Sequence, residues 1–314
     1  MTTPRRYAVS SETDISKCDS LTVIRCSSAP VDGAPCSPSR RKAASSIDCS
    51  STPFFSLPCD GVCKISPGST KVAIGLGAAS TGGVAVDDAG HAYVTSFYSG
   101  SLNRVDLNSG QISETANLGQ VNSVALDGRG SAFVSNLYRG MLYRVDLSTG
   151  LTTAVAGYME YPSDVAVDAT GRLIYILSTL GRIYQVDARS GIRTEVVSGL
   201  NDLWGLALNG RGSAYVTSSD GKLLRVKLGT GEVTEIAAGL GDAYGIALDG
   251  RGNAYTTAFT EGLLIRVNLA TGRVMQAASG LGNPFALALD SQGSAYVVNT
   301  HGILWKVKGV TAKV

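Results

Sequence analysis

A short phrase returns six times along the chain: Val84-Ala85-Val86-Asp87, Val124-Ala125-Leu126-Asp127, Val165-Ala166-Val167-Asp168, Leu206-Ala207-Leu208-Asn209, Ile246-Ala247-Leu248-Asp249 and Leu287-Ala288-Leu289-Asp290. Its closing residues lie 40, 41, 41, 40 and 41 positions apart. A period near forty, built from short apolar runs and turn residues, is the signature of a radial or stacked repeat. The chain therefore folds as one supersecondary unit repeated, rather than as an irregular globule.

The fifth unit shows what is repeated. Gly245-Ile246-Ala247-Leu248-Asp249 runs into the turn Gly250-Arg251-Gly252, and Ala254-Tyr255-Thr256-Thr257 follows. Leu263-Leu264-Ile265-Arg266-Val267 ends at Ala270-Thr271-Gly272, and Arg273-Val274-Met275-Gln276-Ala277 completes the unit. Four apolar runs separated by Gly-bearing turns read as an antiparallel meander. No unit has room for a ten-residue helix, which excludes ankyrin, tetratricopeptide and leucine-rich solenoids. Four-stranded units at this spacing pack radially as propeller blades. Val-Ala-Val and Leu-Ala-Leu suit strands covered on both faces by neighbouring blades. The fold expected is all-β: a six-bladed β-propeller of four-stranded antiparallel blades. Only three strands remain in the last unit, whereas Lys71-Val72-Ala73-Ile74-Gly75-Leu76-Gly77 matches a fourth strand. Residues 71–76 are thus expected to close the ring as an N-terminal strand, with the tail Val310–Val314 as the competitor.

Composition separates two regions. Residues 1–60 are rich in Ser, Pro, Arg and Cys without a period, and read as a disordered extension preceding a propeller at 61–314. All six cysteines (Cys18, Cys26, Cys36, Cys49, Cys59, Cys63) precede the repeats. An even count allows a disulfide framework, and Cys59 with Cys63 allows half a metal clasp, but neither a paired CxxC nor a nearby histidine supports zinc. The net charge of +2 does not suggest nucleic acid or a membrane surface as partner. No run approaches a spanning helix, and Arg5-Arg6 is followed by no apolar h-region, so a cytoplasmic location and a monomer are expected.

The phrase Asn283-Pro284-Phe285-Ala286-Leu287-Ala288-Leu289-Asp290, followed by Gly293-Ser294-Ala295-Tyr296-Val297, resembles the NHL-type repeat. More widely, residues 62–314 resemble the six-bladed propellers that include senescence-marker/gluconolactonase proteins and streptogramin B lyase. The resemblance implies the fold; its members range from lactonases and lyases to sensor and interaction modules, and fold does not carry function.

Residues that break the repeat are the candidates for function. Asp87, Asp127, Asp168, Asn209, Asp249 and Asp290 recur in Asp/Asn-x-x-Gly turns and read as scaffold. The loops that enter the innermost strands, and those that follow the second strands, gather at one mouth of the central channel. There the aligned residues are Gly82, Asn122, Ser163, Trp204, Tyr244 and Phe285, so three successive blades present an aromatic wall. Asp202, Asp242 and Asn283 align two positions earlier, and Tyr138 and Tyr161 lie nearby. Two readings of the wall stay open: a ligand surface, or a packed plug of the channel.

For chemistry, His301 at the mouth with Glu261 and Asp164 supplies the only acid–base set, since no nucleophile elbow and no cysteine occurs in the repeats. Gluconolactonase-type enzymes, by the resemblance, hold a divalent metal on inner-strand oxygens. Asn122, Asn136, Asp164 and Asn299 are the matching oxygen donors for calcium or another divalent cation. That family's first-blade glutamate has no counterpart, because Gly82-Gly83 occupies the place. The sequence reading is a propeller that binds a small molecule or peptide at its mouth; a lactonase- or lyase-type enzyme acting from the same mouth is the alternative.

Overall fold

The computed structural model describes residues 68–77 and 81–311. The expectations for residues 1–60, for all six cysteines and for the tail's last three residues lie outside this range. The described residues contain no helix; they form strands only, in six four-stranded antiparallel sheets. Blades 1 to 5 use strands in chain order: residues 81–117, 121–156, 162–197, 203–237 and 243–278. Each innermost strand is short and apolar at its far end, and each leads into a hairpin that the Asp/Asn side chain ties. In blade 1, Asp87 Oδ1 accepts the amides of Ala89 at 3.0 Å and His91 at 2.7 Å, while Gly90 takes the left-handed φ of 89° that the turn needs.

Blade 6 closes the ring. Its strands Pro284–Leu289, Ala295–Asn299 and Ile303–Val307 are completed by Ser69–Ile74, which pairs antiparallel to the third of them. Sequence placed the closing segment two residues further along. Ala73 and Leu76 then pack into one apolar cluster with Val84 and Val94 of blade 1 and Tyr296 and Val298 of blade 6. The closing strand thus joins both sides of the seam. Comparable clusters fill the other gaps between blades, including Tyr93 with Val121 and Val134, and Phe133 with Val165 and Ile176. Among the described residues no helix is long and apolar enough to cross a membrane.

One irregularity decides what faces the axis. All six innermost strands slip register near the mouth, between Thr81 and Val84, Val121 and Val124, Pro162 and Asp164, Leu203 and Gly205, Ala243 and Ile246, and Pro284 and Ala286. A regular strand sends successive side chains to opposite faces. A bulge breaks that alternation and re-aims side chains at a rim. Here it brings pairs of consecutive residues to the channel.

Candidate functional site

The bulges surround an axial hollow lined by Gly82, Gly83, Asn122, Ser123, Ser163 and Asp164 on blades 1–3, and by Trp204, Tyr244, Gly245, Phe285 and Ala286 on blades 4–6. It encloses about 280 Å³, the open solvent at its mouth included. Most of that is open solvent, and the enclosed part has room for only about two water molecules.

The aromatic wall is real and continuous. Trp204 meets Tyr244 edge-on with centroids 4.8 Å apart and Phe285 at 6.0 Å; Tyr244 and Phe285 lie 5.2 Å apart, tilted by 31°. Phe259, which the sequence reading passed over, extends the wall against Tyr244 at 5.2 Å. All three wall residues named from the sequence are half-buried. Burial raises the Tyr244 phenol above its usual range, and nearby Asp242 adds to the effect, so this ring stays neutral.

Opposite stands Asp164, which lies within an innermost strand (Pro162–Val167) rather than in the entering loop. Its Oδ1 accepts from the Ser123 hydroxyl and, at 2.8 Å, from the Val165 amide; its Oδ2 accepts from the Leu206 amide at 2.6 Å. One carboxylate therefore links blades 2, 3 and 4. Burial pushes its pKa up to about 6, and the three donors only partly offset that. Asp164 keeps a partly exposed surface toward the hollow although protein surrounds it closely.

This link stands where other blades use a neutral one. The bulged amides of Gly83, Gly205 and Gly245 donate to Thr95, Thr217 and Thr257 of the adjacent strand. Those hydroxyls donate onward to the next blade, at Asn122 O (2.8 Å), Tyr244 O (2.6 Å) and Phe285 O (3.1 Å). In blade 2 the Ser123 amide donates to Ser135 Oγ at 3.1 Å. In blade 3 the partner strand presents Leu177, and Asp164 makes the connection instead. In blade 6 the position is Val298, beside the closing strand. Neither the bulges nor these links carry a composition signal. The 41-residue offset between Ser123 and Asp164 was the available clue.

The rim holds the remaining candidates. Tyr161, Asp202, Asp242 and Asn283 occupy equivalent places, and their carbonyls accept the amides of Thr179, Ser219, Phe259 and Thr300 at 3.0–3.2 Å. Asp202 is exposed, and the Asp242 carboxylate accepts from the Thr260 hydroxyl. Tyr138 is 60% exposed and touches Phe97 at 5.7 Å, which in turn meets Tyr98. Tyr158 is 96% exposed, and it and Tyr161 adopt left-handed φ of 58° and 47°, a region that bulky residues avoid. The rim thus has tyrosines over blades 1–3, with Glu160 beside Tyr161, and carboxylates over blades 4 and 5.

The structure does not unite the acid–base set. Glu261 and His301 are exposed on the rims of successive blades, and Asp164 lies at the axis. Among the described residues no hydrogen bond or ion pair joins any two of them. The proposed metal donors also separate. Asn136 gives its amide to Leu118 O at 3.2 Å and accepts the Arg139 amide at 2.9 Å. Asn299 likewise spans Leu281 O and the amides of His301 and Ile303. Both are turn caps outside the hollow, which leaves two of the four expected donors, Asn122 and Asp164, in its lining, fewer side chains than a calcium site of six to eight oxygens draws on. A glutamate cannot be restored beside them either, since a Cβ on Gly82 would sit 2.0 Å from Asn122 O. The donor set does not fit a calcium site of that kind.

Ring, blade number and closure define a six-bladed β-propeller. No protein-family model and no curated protein matches the chain. Solved structures do. A gluconolactonase from Xanthomonas campestris aligns with a TM-score of 0.66 at 14% identity, over 76% of this chain and 88% of its own. Regucalcin from Agrobacterium tumefaciens, a calcium-binding protein, gives 0.62 at 16% identity, over 74% and 90%. A catalytically inactive virginiamycin B lyase from Staphylococcus aureus with quinupristin gives 0.57 at 12% identity, over 77% and 99%. At these identities the likeness shows the fold alone.

Proposed function

We propose that the protein is a binding propeller that takes a small molecule into the axial hollow between the Trp204–Tyr244–Phe285 wall and Asp164. The observation that carries this reading is the joint lining of one solvent-open hollow by an aromatic wall and a largely buried carboxylate. Aromatic faces give contact area without a large entropy cost, and a few polar groups fix orientation. The small hollow admits one group of a ligand; in this reading the exposed rim tyrosines Tyr98, Tyr138, Tyr158 and Tyr161 receive whatever projects from it. A fold neighbour crystallised with quinupristin supports the general idea of a small molecule at such a propeller. The lactonase- or lyase-type alternative requires His301, Glu261 and Asp164 to act on one centre, and their separation ranks it second.

The test is an NMR screen of neutral and charged fragments. The two indole N–H signals serve as reporters, Trp204 in the hollow and Trp305 in the packed interior. Fragments that move Trp204 and leave Trp305 unchanged are the expected result. A library that moves neither would remove the hollow as a binding site.

A further inference from the structure

Asp164 carries a charge that its structural task does not need. In blades 1, 4 and 5 a Gly–Thr couple makes the inter-blade link with neutral groups: Gly83 with Thr95, Gly205 with Thr217, Gly245 with Thr257. Blade 3 replaces that couple with Asp164 and Leu177, and so places a carboxylate at the axis. Its three hydrogen-bond donors are all neutral. Among the described residues it belongs to no ion pair and is the only charged side chain lining the hollow. A carboxylate held away from water and unmatched by a cation is unfavourable.

The opposite wall has the same electrostatic sign. The faces of Trp, Tyr and Phe rings are the negative end of their quadrupoles and attract cations within about 6 Å. On the rim, Asp202, Asp242 and Glu261 add negative charge on the aromatic side, and Asp220 is matched by Lys222 at 2.8 Å. Among the described residues no lysine or arginine lines the hollow. An anionic ligand would meet unpaired negative charge, and a neutral one would leave the carboxylate uncompensated.

We propose that the hollow accepts the ammonium group of an organic cation, held between the Asp164 carboxylate and the rings of Trp204, Tyr244 and Phe285. This rests on the binding reading above and names the ligand class. The size of the hollow limits the buried part to a headgroup.

The experiment compares choline with its uncharged carbon analogue 3,3-dimethylbutan-1-ol, titrated against the Trp204 and Trp305 indole N–H signals. Choline should shift Trp204 saturably and bind about tenfold or more tightly than the analogue, as expected for a desolvated cation–π and carboxylate site. Calcium chloride should leave Trp204 unmoved. The double variant Asp164→Gly with Leu177→Thr rebuilds in blade 3 the couple of blades 1, 4 and 5. It should melt within a few degrees of the parent and lose the preference for choline. Equal binding of the analogue would overturn the ammonium assignment and leave the hollow standing as a site for neutral groups. A silent Trp204 with choline, or a shift caused by calcium alone, would also overturn it; the fragment screen then shows independently whether the hollow binds anything. Retained choline preference in the double variant would place the cation elsewhere and defeat the proposal.

Discussion

The seam between blades 3 and 4 and the seam between blades 4 and 5 share a backbone and differ in chemistry. At the second, the Gly205 amide donates to Thr217, whose hydroxyl reaches Tyr244 O at 2.6 Å. At the first, Asp164 takes the Leu206 amide directly at 2.6 Å. Both link one blade to the next. Only the carboxylate also faces the hollow with a charge, and the exchange of two residues produces that difference. Function in a repeat is most visible where one copy solves the common structural problem in an uncommon way. The seam between blades 6 and 1 is a third solution, with Val298 in place of a hydroxyl and the strand Ser69–Ile74 covering the junction.

Breaking the third seam should have the largest effect. A chain beginning after Gly77 loses the closing strand and the buried Ala73 and Leu76, and exposes an unpaired edge. It should lose cooperative folding, a change on the order of the whole ~5–15 kcal/mol of a domain's stability, seen as loss of a sharp thermal transition. A retained transition would mean that face packing alone holds the ring.

Crowding separates the other two seams. An alanine Cβ at Gly205 would lie 2.2 Å from Tyr244 O, so Gly205→Ala should cost about 3 kcal/mol in chemical denaturation. At the equivalent position of blade 3 a Cβ is already accommodated.

The charge separates them by pH. The ordinary carboxyl titrates near 4, whereas burial lifts folded Asp164 to about 6. The folded chain then holds that proton more tightly than the unfolded chain, so this group's contribution to stability falls as pH rises from about 4 to 6. Relative to Asp164→Asn, the parent should gain about 2–3 kcal/mol between neutral pH and pH ~4, read from paired denaturation curves. The turn carboxylates Asp146 and Asp187, held low by their loop hydroxyls, amides and Arg172, act in the opposite direction, but both chains share them. A pH-independent difference would place Asp164 in ordinary solvent.

Thr217→Val is the mildest change. It removes one acceptor and one donor from the seam and should cost about 1–2 kcal/mol, with no pH dependence between 5 and 8.

Much of this was legible in the sequence because a period and its turns impose the architecture. The six Ala-centred phrases located the innermost strands, and the missing fourth strand of the last unit pointed to residues near Lys71. Alignment of the copies put Trp204, Tyr244 and Phe285 on one wall. The bulges were not legible, since a register slip is a backbone event with no required residue. Ser123 and the place of Asp164 on an innermost strand were therefore not read from the sequence. Asn136 and Asn299 misled for another reason: an amide that suits a metal also suits a turn, and only the positions of Leu118 O and Leu281 O show which use prevails. Arg129 and Arg251, both exposed, also reach the carbonyls of Thr170 and Thr311 on neighbouring loops.

Whether the aromatic wall lines a site or plugs a channel is decided most directly by comparing the thermal and denaturant unfolding of Trp204→Ala with that of Trp305→Ala. Trp305 is 5% exposed and packed in the core, and its loss should cost about 3–5 kcal/mol. Trp204, half-buried at a solvent-open hollow, should cost less than half as much. A loss for Trp204→Ala equal to or greater than that for Trp305→Ala would contradict the account and make the wall a plug.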